Sequence, residues 1–200
     1  FSIFKSGADE GNIWNYSNAS LRFGTNNTER MCVISSGNVG IGTTNPSSLI
    51  HLHNTSSSGE VKLLFTDGST GISASSGFSI FKSGGDEGNI WNYSNASIRF
   101  GTSNTERMCV SSSGNIGIGT TNPSSLIHLH NSNSSGEVKL LLTDGSTGIG
   151  TTSGFSIFKS GSDDGNIWNY SNASIRFGTS NVERMSILSS GNIGIGTTNP

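Results

Sequence analysis

Little in this chain can serve as the inside of a globular domain. Only 31% of its 200 residues are hydrophobic, and adding the 28 glycines lifts the apolar share only to the low edge of the usual range, since glycine has no side chain to bury. Charge is also scarce, at 12% with a formal net of −2, so disorder driven by like-charge repulsion is not expected. The 11 basic residues stand one or two at a time, which argues against a footprint for phosphate backbones and against nucleic acid as a partner. Apolar runs such as Val61 to Phe65 fall far short of the roughly 20 residues needed to cross a bilayer, so no membrane span is expected. Gly, Ser, Asn and Thr fill the deficit, a mixture that favours turns and short strands, and only 3 prolines interrupt it.

What the chain does have is repetition. FSIFKSG begins at Phe1, Phe78 and Phe155, a spacing of 77 residues, which divides the sequence into a first repeat (1–77), a second (78–154) and a partial third (155–200). A chain that opens and closes inside a repeat is expected to be part of a longer array. Tandem units this similar imply a quasi-one-dimensional object in which each unit touches only its neighbours. Cys32 and Cys109 fall at equivalent places, with Ser186 in the third copy. One cysteine per repeat cannot bridge within its own repeat, which leaves a thiol tolerated on a strand or a bond between neighbouring chains.

Apolar residues mostly alternate, as in half-buried strands. Seven strands are predicted in the first repeat: Phe1 to Lys5, Asn12 to Tyr16, Ser20 to Phe23, Glu29 to Ile34, Val39 to Thr43, Leu49 to His53 and Val61 to Phe65. Turn formers separate them, Asp67-Gly68 being the sharpest because glycine accepts the positive φ of tight turns. The unit reads as a meander.

Differences between the copies assign the faces. Met31 and Val33 remain apolar as Met108, Val110, Met185 and Ile187, whereas Cys32 and Ile34 drift to Cys109 and Ser111, then to Ser186 and Leu188. The first face is expected to be packed and the second free. By the same logic Leu21 with Phe23, and Ile50 with Leu52, are expected to point inward, and Trp14 shares a face with Tyr16. So narrow an apolar stripe needs a partner. A single-chain β-solenoid is one solution, though 77 residues exceed the roughly 20–45 of familiar repeats. Several chains around a common axis, covering strand edges and pooling their stripes, is the favoured one.

The clearest signature is Ser36 to Pro46, SGNVGIGTTNP, followed by the alternating Leu49-Ile50-His51-Leu52; its core recurs at Ser113 to Pro123 and Ser190 to Pro200. Glycines at 40 and 42 permit close approach of backbones, and Pro46 stops pairing and redirects the chain. This segment, with the preceding IWNYSNASLRFGTNNTERM, resembles the repeats of phage and large-virus tail or surface fibres. The resemblance covers most of each repeat and least of Asn54 to Gly77. It implies an all-β, intertwined homotrimeric fibre on a virion surface or outside a cell, holding away from a particle a tip that meets a host-surface glycan or receptor through parts beyond these 200 residues. The self-cleaving chaperone domain that often ends such fibres has no counterpart here.

His51 and His53, repeated as His128 and His130, form His-x-His pairs on one face of a strand. Three chains would gather six imidazoles, enough for an octahedral transition metal, as at the tips of some phage fibres. Ile50 and Leu52 are the better inward candidates, so the imidazoles are read as solvent-facing, with metal as the alternative. Asp9-Glu10, Asp86-Glu87 and Asp163-Asp164 lie in Gly-rich turns and read as solvated turn residues; calcium binding or a glycosidase pair is the alternative, the latter needing a set separation across a cleft. No G-x-S-x-G elbow accompanies the serines, no catalytic site is found, and no cofactor is expected. Nine N-glycosylation sequons occur, at Asn15, Asn18, Asn26, Asn54, Asn92, Asn95, Asn133, Asn169 and Asn172, the turn Ser17 to Ala19 being the best placed to carry sugar. The expected function is a non-enzymatic fibre shaft; a cellular surface filament is the alternative, and a glycan-cleaving spike enzyme a distant third.

Overall fold

The computed structural model describes every residue except Ser6, Ala8 and Asp9. Among the described residues the chain is all-β, without a helix and without a closed barrel. Two compact units, Phe1–Asn95 and Ala96–Pro200, divide it.

In the first unit β1 (Ser2–Lys5) and β2 (Gly11–Trp14) form a hairpin. Next come β3 (Leu21–Thr25), β4 (Thr28–Val33), β5 (Val39–Ile41) and β6 (Ile50–Leu52), a four-stranded sheet in that order. A three-stranded antiparallel sheet of β7 (Val61–Phe65), β8 (Phe78–Lys82) and β9 (Gly88–Asn92) follows. The second unit runs through the same two sheet types. Its four-stranded sheet is β10 (Ile98–Thr102), β11 (Thr105–Val110), β12 (Ile116–Ile118) and β13 (Ile127–Leu129). A three-stranded sheet of β14 (Val138–Leu142), β15 (Phe155–Lys159) and β16 (Gly165–Asn169) comes next. The last, β17 (Ile175–Thr179), β18 (Val182–Ile187) and β19 (Ile193–Ile195), repeats the first three strands of the four-stranded type. All seven strands predicted for the first repeat are present, with ends shifted by a residue or two. The sheet β7–β8–β9 pairs residues on both sides of Gly77, so counting from FSIFKSG cuts through a sheet.

Local chemistry fixes the hairpins. Asn26 and Asn27, with φ of 51° and 54°, make the two-residue turn whose twist matches the strands of β3–β4. At Asp67-Gly68 the expectation is corrected. Gly68 is not in the left-handed region; Gly71 is, at φ 79°, and its N–H donates to the Asp67 carbonyl. The Asp67 carboxylate spans the loop instead, accepting the N–H groups of Ser69 and Thr70 at 2.9 Å each and the Ser69 hydroxyl at 2.7 Å. A side-chain oxygen thus does the work expected of a tight glycine turn.

The unit is also not a pure meander, because β5 and β6 are parallel. Parallel neighbours usually need a crossover of a dozen or more residues, and here residues 42–49 suffice. Three devices make this possible. Gly42, at φ 77°, turns the chain where a Cβ would overlap the His53 carbonyl oxygen. Gly40 has no side chain under the returning backbone, since a Cβ there would sit 2.5 Å from the Thr43 carbonyl oxygen. The Asn38 amide donates to the Pro46 carbonyl at 3.2 Å and closes the loop around the buried proline. The SGNVGIGTTNP signature is therefore the sequence of a compact β-crossover.

Register sets the faces. Leu21, Val33, Val39 and Ile50 lie side by side across the four strands, and Phe23, Met31, Ile41 and Leu52 form the next row but one. The alternate face carries Arg22, Cys32, Gly40 and His51. The expected inward residues do share one face, but their burial is the reverse of expectation within the chain. Ile50 is 69% exposed and none of the eight is buried, whereas Cys32 is 1% exposed. The cause is the crossover, which passes over the Cys32–Gly40 side. Trp14 and Tyr16 also stand exposed. The fully buried side chains are Cys32, Cys109, Ser79, Ser156 and Ser186, all small. Within each unit, extensive contact between strands runs only between hydrogen-bonded neighbours, and no sheet packs face to face on another among the described residues.

Replacement of Gly42 by Ala, which needs both a strained φ and space held by the His53 carbonyl, is expected to destabilise the fold by about 1–3 kcal/mol. Gly68→Ala, with open space and an unstrained φ, is expected to stay within about 0.5 kcal/mol of wild type. Denaturant unfolding at one fixed protein concentration measures both.

Candidate functional site

The candidate chemistry sorts into side chains consumed by turns, thiols sealed by the crossover, and apolar faces left open. The His pairs are the first test. His51 is half-buried on the crossover side, its Nδ1 accepting the Ser47 N–H at 3.3 Å, while His53 is exposed just beyond β6; their ring centroids are 6.0 Å apart. His128 and His130 repeat this arrangement, again at 6.0 Å, with Ser124 as donor. Ile50 and Leu52 lie on the face opposite His51, and within the single chain Ile50 is more open than His51. No group of three or more His, Cys, Asp or Glu converges among the described residues.

Asp9 lies outside the described residues. In the other acidic turns the adjacent carboxylates diverge. Asp86, at φ 67°, pairs with Lys82 at 2.7 Å, and Glu87 accepts the Ser83 hydroxyl at 2.9 Å. Asp163 pairs with Lys159 at 2.6 Å, and Asp164 accepts the Ser162 hydroxyl at 3.1 Å. The hydrogen-bonded Lys82 and Lys159 ammonium groups hold the Asp86 and Asp163 carboxyls below their ordinary range. Each pair closes a hairpin and forms no two-carboxylate cleft.

The sequon asparagines divide by use. Asn15 donates to the carbonyls of Ala19 and Ser20, Asn169 to those of Ala173 and Ser174, and Asn54 to that of Glu60, so their amides brace loops. Asn92 is half-buried and accepts the Ser94 N–H. Asn133 is exposed and accepts from Ser135, and Asn26 sits at a hairpin tip. Asn18, Asn95 and Asn172 stand exposed in the loops that follow β2, β9 and β16.

Cys32 and Cys109 are buried free thiols whose Sγ atoms lie 3.4 and 3.5 Å from the carbonyls of Thr43 and Thr120. Burial, followed by the nearby Glu29 carboxylate, pushes the Cys32 thiol above its ordinary pKa. A sulfur held under its own crossover has no path to a neighbouring chain, which corrects the interchain bond entertained from spacing alone. Nothing in cysteine count announced this; the signal was Gly40 and Gly42 beside a proline.

A notch of mixed polar and apolar lining recurs in both units. In the first it is about 430 Å³, bounded by Glu29, Arg30, His53, Glu60 and Lys62 together with the apolar Ile41, Leu52 and Val61, and in the second about 400 Å³, bounded by the equivalent residues. Its charges are largely satisfied: Lys62 Nζ lies 2.9 Å from Glu60, donates to Tyr93 Oη at 3.1 Å, and stacks over the Phe81 ring. The largest unfilled demand is apolar, in the open sheet faces. In the three-stranded sheet Leu63, Ile80 and Ile90 align across the strands and each is about half exposed. No family model matches the chain, and no curated protein matches it.

Two outcomes follow. In the native protein, alkylation of Cys32 and Cys109 is expected to be slower by ~100-fold or more than in the denatured chain, read by mass spectrometry after timed quenching. Asp67 and Asp144 are held at about 2 against an ordinary 3.8, by the hydroxyls of Ser69 and Ser146 and the N–H groups of the same loops. Because the folded value is depressed, these turns contribute fully above 3.8 and lose their contribution as pH falls through about 2. Carboxyl-carbon NMR titration should place both midpoints there.

Proposed function

We propose that this chain is a structural, non-enzymatic length of a viral tail or surface fibre, working outside the cell or on a virion surface by self-association into a homotrimer. The observation that carries the reading is surface area. The chain exposes 14133 Å², whereas two folded units that share its 20.8 kDa about equally are expected to expose about 10,800 Å² together. The surplus of about 3,300 Å² is of the size that obligate assemblies bury. The recurring sheets supply a shaft whose length scales with repeat number, and the SGNVGIGTTNP crossover carries the resemblance to viral fibre repeats. Attachment to a host glycan or receptor falls to parts beyond these residues. Carboxylates and amides engaged in closing turns support a mechanical role over a catalytic one.

A second reading, a glycosylated cellular filament of the same build, draws on the exposure of Asn18, Asn95 and Asn172. Intact-mass measurement of material from its native source separates the two, since added hexose mass favours the filament.

Sedimentation and cryo-microscopy of the 200-residue chain test the first reading. A threefold assembly at micromolar concentration is the expected result. A compact monomer that melts cooperatively would overturn it.

A further inference from the structure

We infer that the open apolar faces of the four-stranded sheets are the surfaces on which copies of this chain meet, each face seating the same face of its sister chains in register. The inference rests on the self-associating fibre reading and assigns that association to particular side chains.

The two faces of each four-stranded sheet are unequal in a way that selects one. The Cys32 side is closed by residues 42–49 of the same chain, with Gly40 and Cys32 packed under the crossover. The other side offers eight apolar side chains in two rows, with the polar pair Thr25 and Thr28 at its hairpin end, and none of the eight is fully covered within the chain: Phe23 is 40%, Ile41 46% and Ile50 69% exposed, and the other five are half-buried. A contiguous apolar face of this kind on a lone chain marks an interaction surface. The open side of the three-stranded sheet carries six apolar side chains, Val61, Leu63, Phe65, Phe78, Ile80 and Ile90, but shares them with the charged Lys82 and with Asn92.

The identity of the partner follows from recurrence. The row Leu21–Val33–Val39–Ile50 reappears as Ile98–Val110–Ile116–Ile127, and its first three members again as Ile175–Ile187–Ile193. Between copies these positions exchange only Leu, Val and Ile, so shape and apolarity persist where the chain itself does not require them. An unrelated partner would have to present a matching patch for each recurrence of this one. A second copy of this chain does so by construction, and cyclic symmetry brings equivalent residues together around an axis. The surplus surface of about 3,300 Å² fits obligate association and exceeds what a transient contact buries.

The test uses the full 200-residue chain in a Cys32→Ser, Cys109→Ser background, a change the third repeat already carries at Ser186. Val33→Cys and, separately, Ile41→Cys place a single thiol on the open face, and Arg22→Cys places one on the opposite face of the same sheet. A short bis-maleimide is expected to yield covalently linked chains from the first two and monomers from the third, on a denaturing gel. A Met31→Asp, Met108→Asp, Met185→Asp variant is expected to lose assembly in sedimentation while circular dichroism reports whether its strands persist. If the unmodified chain stays monomeric at every concentration, both the fibre reading and this assignment fail. If it assembles but neither face thiol cross-links, or if the triple aspartate variant still assembles, the face is wrongly assigned and self-association stands.

Discussion

Passage of residues 42–49 across Gly40 and Cys32 organises each complete four-stranded sheet. A backbone carbonyl 2.5 Å from where a glycine Cβ would stand leaves room for nothing larger at Gly40, so the middle of the face beneath the crossover carries Gly40 and Cys32, with Arg22 and His51 at its flanks. Because that face is consumed by the chain's own backbone, the large apolar side chains of β3 to β6 are driven to the other side. The result is a sheet with small residues inside and Leu, Ile, Val, Phe and Met outside. Such a sheet is closed by its own loop on one face and incomplete on the other.

The same economy shapes the three-stranded sheets. Ser79 and Ser156 are buried on β8 and β15, the middle strands of their sheets, again as small residues. Lys62 holds the loop after β7 against that face by donating to the Ala74 carbonyl, while its stem and ammonium pack on Phe81 and Tyr93. With so few large buried side chains, order depends on polar hardware: Asp67 and Asp144 closing turns, Asn15, Asn54 and Asn169 bracing loops, Asn38 and Asn115 fastening crossovers. These contacts specify conformation without supplying much burial. Within the chain, therefore, little apolar surface is removed from water by its own side chains.

Alternation was enough to locate the strands, because a period of two is a local property of the backbone. It also grouped Leu21, Phe23, Met31, Val33, Ile50 and Leu52 on one face. Asp67-Gly68 was legible as a turn but not as a carboxylate-centred one, since the three residues that satisfy Asp67 acquire meaning only once the loop is closed. The parallel β5–β6 pair was hidden for a related reason: parallel and antiparallel neighbours look alike in hydrophobic pattern, and the eight-residue link is shorter than such links usually are. Cys32 looked like the variable, outward position because the copies change there, yet Cys and Ser are interchangeable under a crossover that admits only small groups.

By itself, the sequence determined the 77-residue recurrence, the all-β character, the seven strands of a repeat and the parity of their side chains. These follow from composition and from the two-residue period, both of which survive without knowledge of neighbours. Only the tertiary structure decided which parity is sealed and which stays open, because that depends on the side of the sheet over which residues 42–49 return. Steric exclusion at Gly40 makes that choice, and excluded volume between segments distant along the chain leaves no trace in a hydrophobic pattern.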